Sequence, residues 1–143
     1  MNLSYSYNGY NESPIQHSLS GNNFEVFKIL YENGANCDIV DEGGFSILAS
    51  AVNRNNEKMV RYLVENGAKI NPWADDQLSP ILIAIEARHI NVANYLARNG
   101  ARLETKAKGH CDSPFFGDVF DPVEMALAHN DLEISKMMIF LKN

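Results

Sequence analysis

Asn33-Gly34-Ala35, Asn66-Gly67-Ala68 and Asn99-Gly100-Ala101 are one tripeptide written three times. The glycines lie 33 residues apart at each step, 67 − 34 and 100 − 67. A fixed period of that size belongs to stacked repeats, in which a unit buries its apolar face only against its neighbours. Each Asn-Gly closes a stretch of helical periodicity. In the second unit Leu48, Ala51 and Val52 come first, then the polar break Asn53-Arg54-Asn55-Asn56, then Met59, Val60, Leu63 and Val64. The third unit repeats this with Leu82, Ile83, Ala84 and Ile85, a break near Arg88-His89, and Val92, Ala93, Tyr95 and Leu96. Glycine after the second pattern suits the left-handed position beyond a helix end, where a side chain would clash. The unit is therefore helix, tight turn, helix, glycine stop and a polar extended connector.

The start of the first helix is marked as well. Ser13-Pro14, Ser79-Pro80 and Asp121-Pro122 place an N-cap oxygen directly before a proline in the first turn, and only Ser46-Ile47 departs. Pro14 to Gly34, Ile47 to Gly67 and Pro80 to Gly100 each span 20 residues.

These residues closely resemble the ankyrin repeat, a unit of β-turn plus two helices whose first helix begins Thr-Pro-Leu-His. The resemblance covers residues 13–141. It implies an all-α solenoid of helix-turn-helix units with short β-turn fingers, and a function in binding other proteins. The family's histidine at the first helix is missing; Gln16, Ala49, Leu82 and Glu124 hold its places. In the family that imidazole links neighbouring turns, so its loss predicts weaker coupling between units. His89 stands where the family has a histidine after its inter-helix glycine, here Arg88, and that role is structural.

The register divides the chain into a flexible segment, 1–12, and units at about 13–34, 35–67, 68–100 and 101–143. Pro80 to Pro122 is 42 residues, 9 more than the repeat, which places an inserted loop at about 104–120. The fourth Asn-Gly expected near position 142 is replaced by Lys142-Asn143, so the last unit reads as a cap.

Composition narrows the function. Of 143 residues, 45% are apolar and 21% charged, as in ordinary soluble domains. Asp and Glu outnumber Lys and Arg 18 to 12, for a net charge of −6. Nucleic-acid backbones call for a basic stripe, so no nucleic-acid partner is expected, while a basic protein partner is compatible. Met1 to Ser13 lack a secretory pattern and no run of 18 apolar residues exists, which predicts a cytoplasmic, membrane-free chain, a monomer when alone. Cys37 and Cys111 sit on different repeats and read as two free thiols.

No catalytic set emerges. His110-Cys111-Asp112 is the one local cluster with reactive side chains. Adjacent side chains of an extended loop point apart, and three consecutive ligands miss zinc spacing, so the cluster reads as loop decoration. Cys37 follows the glycine stop where a small apolar residue packs. Asp75-Asp76 is an acidic turn tip rather than an acid-base dyad, and His17 and His129 lie on first helices. The expectation is a non-enzyme with no cofactor and no metal.

The resemblance implies recognition by the finger tips and the exposed ends of first helices. By register these are Glu42, Phe45, Asn53 and Arg54 in the second unit, Trp73, Asp75, Asp76, Leu78, Glu86 and Ala87 in the third, and Ala128 and His129 in the fourth. Trp73, the only tryptophan, reads either as an interface anchor or as a ring packed back on the neighbouring turn. Phe115, Phe116, Val119 and Phe120 make the inserted loop apolar; it either binds, with Phe115 or Phe116 exposed, or caps the fourth unit. With no other domain in the sequence, the expected action is occlusion of a partner's active or assembly surface. A bacterial immunity protein neutralising a cognate toxin is its specific form. The alternatives are a secreted bacterial or viral effector that binds a host protein, a scaffold subunit, and a hydrolase built on His110 and Cys111.

Overall fold

The computed structural model describes residues 5–7, 10–71, 78–102, 132, 133 and 136. Among the described residues, helices run in pairs: α1 (Pro14–Ser20) with α2 (Phe24–Glu32), α3 (Ile47–Asn53) with α4 (Glu57–Glu65), and α5 (Pro80–Glu86) with α6 (Ile90–Arg98). First helices stack α1 on α3 on α5, and α4 stacks on α6. The result is an all-α repeat solenoid, as the periodicity predicts. Before it, where the sequence reading expects a flexible segment, strands β1 (Tyr5–Tyr7) and β2 (Tyr10–Glu12) pair antiparallel, with Tyr7 opposite Tyr10. The Ser- and Asn-rich composition hides the strand preference of the three tyrosines. The hairpin holds a finger's place: Tyr7 and Ser13, advanced by 33, become Val40 and Ser46, which form an isolated antiparallel bridge.

The Asn-Gly-Ala tripeptide is a complete helix terminator. Gly34, Gly67 and Gly100 have φ of 82°, 87° and 93°. Their N–H groups donate to Tyr31, Val64 and Ala97 O at 3.0, 3.1 and 3.2 Å. The following alanine N–H groups, of Ala35, Ala68 and Ala101, donate to Leu30, Leu63 and Leu96 O, each at 3.0 Å. These are the paired bonds of a Schellman motif, which satisfy carbonyls that a helix end otherwise leaves open. The asparagine adds a clasp: Nδ2 of Asn33, Asn66 and Asn99 donates to the carbonyl four residues back, at 2.8, 2.7 and 2.8 Å.

The inter-helix turns use the same device without glycine. Asn22, Asn55 and Arg88, again 33 apart, have φ of 53°, 54° and 59°. The residue after each, Asn23, Asn56 or His89, donates its N–H back to Ser18, Ala51 or Ala84 O and is also the N-cap of the second helix. Asn23 and Asn56 cap through their side-chain oxygens, which accept from Val26 and Met59 N–H. At the first helices, Ser13 and Ser46 Oγ accept from Gln16 and Ala49 N–H. Ser79 is buried and makes no side-chain cap bond. Proline at the next position keeps that turn shaped.

The core runs the length of the stack: Ile15, Leu19 and Phe27, then Leu48, Val52, Met59, Val60 and Leu63, then Ile81, Ile85, Val92 and Leu96. Each fully buried side chain of this size contributes about 1.5–3 kcal/mol. Ala49, Ala51, Ala84 and Ala93 are buried between helices, where small side chains allow close approach.

Without the family histidine, other polar groups bridge the units. Tyr31 Oη donates to Asn66 O at 3.1 Å, and Asn91 Nδ2 to Glu57 Oε1 at 3.0 Å. Asn56 Nδ2 donates to Asn22 Oδ1. Asn71 donates through Nδ2 to Gly100 O at 3.1 Å and accepts through Oδ1 from Arg102 N–H at 2.8 Å. His89 Nε2 lies 3.3 Å from Asn53 O, so its N–H tautomer ties the third unit to the second, in keeping with the structural role read from sequence. Tyr62 stands edge-on to Phe24, Phe27 and Tyr31 at centroid distances of 5.5, 6.5 and 5.5 Å, joining α4 to α2.

A Cβ built on Gly67 meets nothing within 4 Å, so Gly67→Ala isolates the conformational cost of left-handed backbone. It is expected to lower unfolding free energy by about 1 kcal/mol in a urea titration. Arg88→Gly, at the other left-handed turn, is expected to raise it by about 0.5 kcal/mol. No loss from Gly67→Ala, or a loss from Arg88→Gly, would contradict the assigned turn geometry.

Candidate protein-binding surface

The described finger spans residues 40–46. Asp41 builds it: Oδ1 accepts from Gly43 and Phe45 N–H, both at 2.9 Å. Asp41 N–H donates to Phe45 O and Gly44 N–H to Asp41 O, both at 3.0 Å. Gly44 takes φ 83° to close the turn. Leu78 N–H then donates to Gly44 O at 2.9 Å, tying this finger to the next connector. The finger is thus braced by its own aspartate and by its neighbour.

On this frame Glu42 is exposed at the tip, as its assignment to the binding set requires. Phe45 is half-buried, with its ring packed against the core rather than free at the tip. Leu78 departs from the sequence reading altogether. It is 6% exposed and belongs to the core, because the connector returns to the stack at this point to begin α5. Leu78 is therefore a packing residue, and the polar neighbourhood Asp75-Asp76-Gln77 disguises it.

Arg54 is exposed at the end of α3 and reaches back to Ser20, donating to its O and Oγ at 3.4 Å each. Glu86, half-buried, ends α5 at the register position of Asn53 (53 + 33), so the two first-helix ends follow one another along the stack. Trp73, Asp75, Asp76, Phe115, Phe116 and His129 lie outside the described residues, as does His110-Cys111-Asp112.

Cys37 is a free thiol, half-buried against the core after the first glycine stop, the packing position read from the sequence. Sγ donates to Ala35 O at 3.5 Å. Burial first, and the Asp38 carboxylate second, push the thiol from the ordinary 9.0 up to about 11. Burial also raises the Tyr31 hydroxyl, with Cys37 and Asp38 adding to it. A thiol held protonated is a poor nucleophile, the opposite of a catalytic setting. The group still borders an open cleft of about 460 Å³ lined by Tyr31, Leu63, Ala68 and Lys69, so small reagents reach it.

One surface feature escapes the sequence reading. Val26 and Ile29, on α2, are 43% and 60% exposed. Advanced by 33 and 66, Val26 becomes Met59 and Val92, which are 0% and 1% exposed. Ile29 becomes Tyr62, which covers the preceding unit. The two side chains therefore occupy stacking positions that no preceding second helix covers among the described residues. Comparing each position with its repeats, rather than each helix with itself, reveals them.

The family model for ankyrin repeats, in three copies, matches residues 15–107. The chain belongs to the ankyrin repeat family. Ankyrin repeats are protein-protein interaction modules, typically without catalytic activity, and that is the function of this fold. No curated protein matches the chain. Among the described residues no helix is long and apolar enough to cross a membrane, and no three His, Cys, Asp or Glu side chains are grouped to hold a metal ion.

In a Cys111→Ser background, alkylation of Cys37 by iodoacetamide is expected to be slow at neutral pH and to climb until about pH 11. The unfolded thiol ionises near its ordinary 9.0 and the folded one only near 11, so the ankyrin domain loses stability as pH rises between those values. A labelling midpoint near or below the ordinary value would contradict the burial assigned to Cys37.

Proposed function

We propose that this ankyrin chain acts by occlusion, laying its fingers and first-helix ends on a partner protein and covering an active or assembly surface. The observation that supports this reading most is the braced finger. Asp41 and the Leu78 bond hold Glu42 at an exposed tip, beside a stack of first helices that presents Arg54. Rigid presentation limits the ordering cost of association. Trp73, Asp75, Asp76, Phe115, Phe116, Glu86 and His129 complete the proposed contact set, with Phe45 contributing the outer edge of its ring.

The excess of acidic residues, 18 against 12, supports a basic target. The specific form proposed is an immunity protein that neutralises a cognate toxin, within the cytoplasm and as a monomer until the toxin binds. It rests on the acidic balance and on the typically non-catalytic character of the family.

The product of the neighbouring gene is the partner to test, by size exclusion and calorimetry. A complex of defined stoichiometry is expected, and its absence would remove the immunity form. Within that complex, Trp73→Ala is expected to weaken binding by more than about 1 kcal/mol. Unchanged affinity, with circular dichroism intact, would take Trp73 out of the interface. Asp75→Lys with Asp76→Lys is expected to slow association mainly at low salt.

A further inference from the structure

The Asn-Gly pairs that end the second helices, like Asn8-Gly9 near the start of the sequence, are a dipeptide open to spontaneous rearrangement. The nitrogen of a residue that follows asparagine can attack the side-chain Cγ, and glycine, lacking Cβ, hinders that nitrogen least. The Gly N–Cγ bond forms, ammonia leaves, and the resulting cyclic imide is opened by water. Opening at one carbonyl gives aspartate. Opening at the other gives isoaspartate, in which the main chain runs through the former side chain and gains a methylene.

The fold opposes the first step. Asn33, Asn66 and Asn99 have ψ of 17°, 17° and 16°. At such values the glycine nitrogen nearly eclipses the asparagine's own nitrogen and lies away from Cβ and Cγ. Bringing it to Cγ means rotating ψ, which breaks the Gly N–H and Ala N–H bonds that form the stop. The departing group is held too, since each Nδ2 donates to a helix carbonyl within 2.8 Å.

We propose that Asn33, Asn66 and Asn99 are deamidation sites held shut by the fold, each reacting only when its own helix end unwinds. Reaction weakens the stop permanently. The new carboxylate lacks the N–H that clasped the helix carbonyl, and it sets negative charge against the negative end of the helix dipole. Isoaspartate displaces the left-handed glycine by one backbone atom. The isoaspartate stop cannot re-form its paired bonds, and the aspartate stop re-forms without its clasp, so the connector is anchored less firmly.

The three sites are not equivalent. Asn66 O accepts the Tyr31 hydroxyl at 3.1 Å, and Gly100 O accepts Asn71 Nδ2 at 3.1 Å, so the second and third stops are each tied to a neighbouring connector or unit. Among the described residues no other unit bonds to Asn33 or Gly34, and α2 carries the exposed Val26 and Ile29. The first stop therefore opens most often and Asn33 reacts first.

The test follows the amide-to-acid mass change at each site by peptide mass spectrometry, with the full chain held in mildly alkaline buffer, folded or unfolded in urea. In the folded chain, Asn66 and Asn99 are expected to react at least ~10-fold more slowly than in urea, with Asn33 the fastest of the three. Tyr31→Phe keeps the ring and removes only the hydroxyl bond, and is expected to accelerate Asn66 by roughly threefold or more without changing Asn99. Equal rates at Asn66 and Asn99 in the folded and urea-unfolded chain would overturn the proposal. So would equal acceleration of Asn66 and Asn99 by Tyr31→Phe, which assigns reaction to global unfolding.

Discussion

The bond from the alanine N–H of each Asn-Gly-Ala to the leucine carbonyl five residues back is the constraint on which the structure depends. It needs a left-handed residue in between, and glycine takes that conformation here with the least strain, at φ of 82–93°. With it, the chain leaves the second helix in one direction and reaches the next first helix after connectors that match between the first three units, Gly34 to Ile47 and Gly67 to Pro80. Without it, the helix carbonyls stay open and the connector has no fixed origin. Core packing supplies most of the stabilising free energy, but the stop decides where each core residue falls.

A repeat whose family histidine is absent must couple its units by other means, and here the means are local and varied. The first and second units share an aromatic cluster and the Tyr31 hydroxyl bond, while Asn56 meets Asn22 across the same junction. The second and third units share the His89 and Asn91 contacts. Several of these lie at the surface, where water competes with them, and the Lys58–Glu25 pair at 3.5 Å is exposed enough for salt to screen it. Coupling therefore rests on the buried apolar faces, with the polar bridges fixing register. The consequence is visible in Val26 and Ile29, which take stacking positions that no second helix covers among the described residues.

The fold was legible in the sequence because its determinants are backbone-specific and periodic. Glycine at 34, 67 and 100, serine at 13, 46 and 79, and apolar positions in phase with both leave one architecture. What escaped was whatever depends on a single side chain's surroundings. Leu78 sits beside acidic residues in sequence yet turns into the core, because α5 begins two residues later. Phe45 tells the same story in part. The hairpin at Tyr5–Tyr7 and Tyr10–Glu12 was masked by its composition. Left-handed Asn22, Asn55 and Arg88 were hidden because the familiar glycine marker is missing. Cys37 was legible as packing, since a small residue after a helix stop has only the core to meet.

Binding by an ankyrin solenoid needs a surface whose parts keep their spacing, so function here rests on the same stops as the fold. Amide hydrogen exchange at Ala35, Ala68 and Ala101 measures those stops directly. All three amides are expected to be protected well above the rate of an unstructured chain, with Ala68 slower than Ala35 because the Tyr31 hydroxyl also holds Asn66 O. Exchange of these amides at unstructured-chain rates, while the helix interiors stay protected, would contradict the dependence of the repeat register on the Asn-Gly-Ala stop.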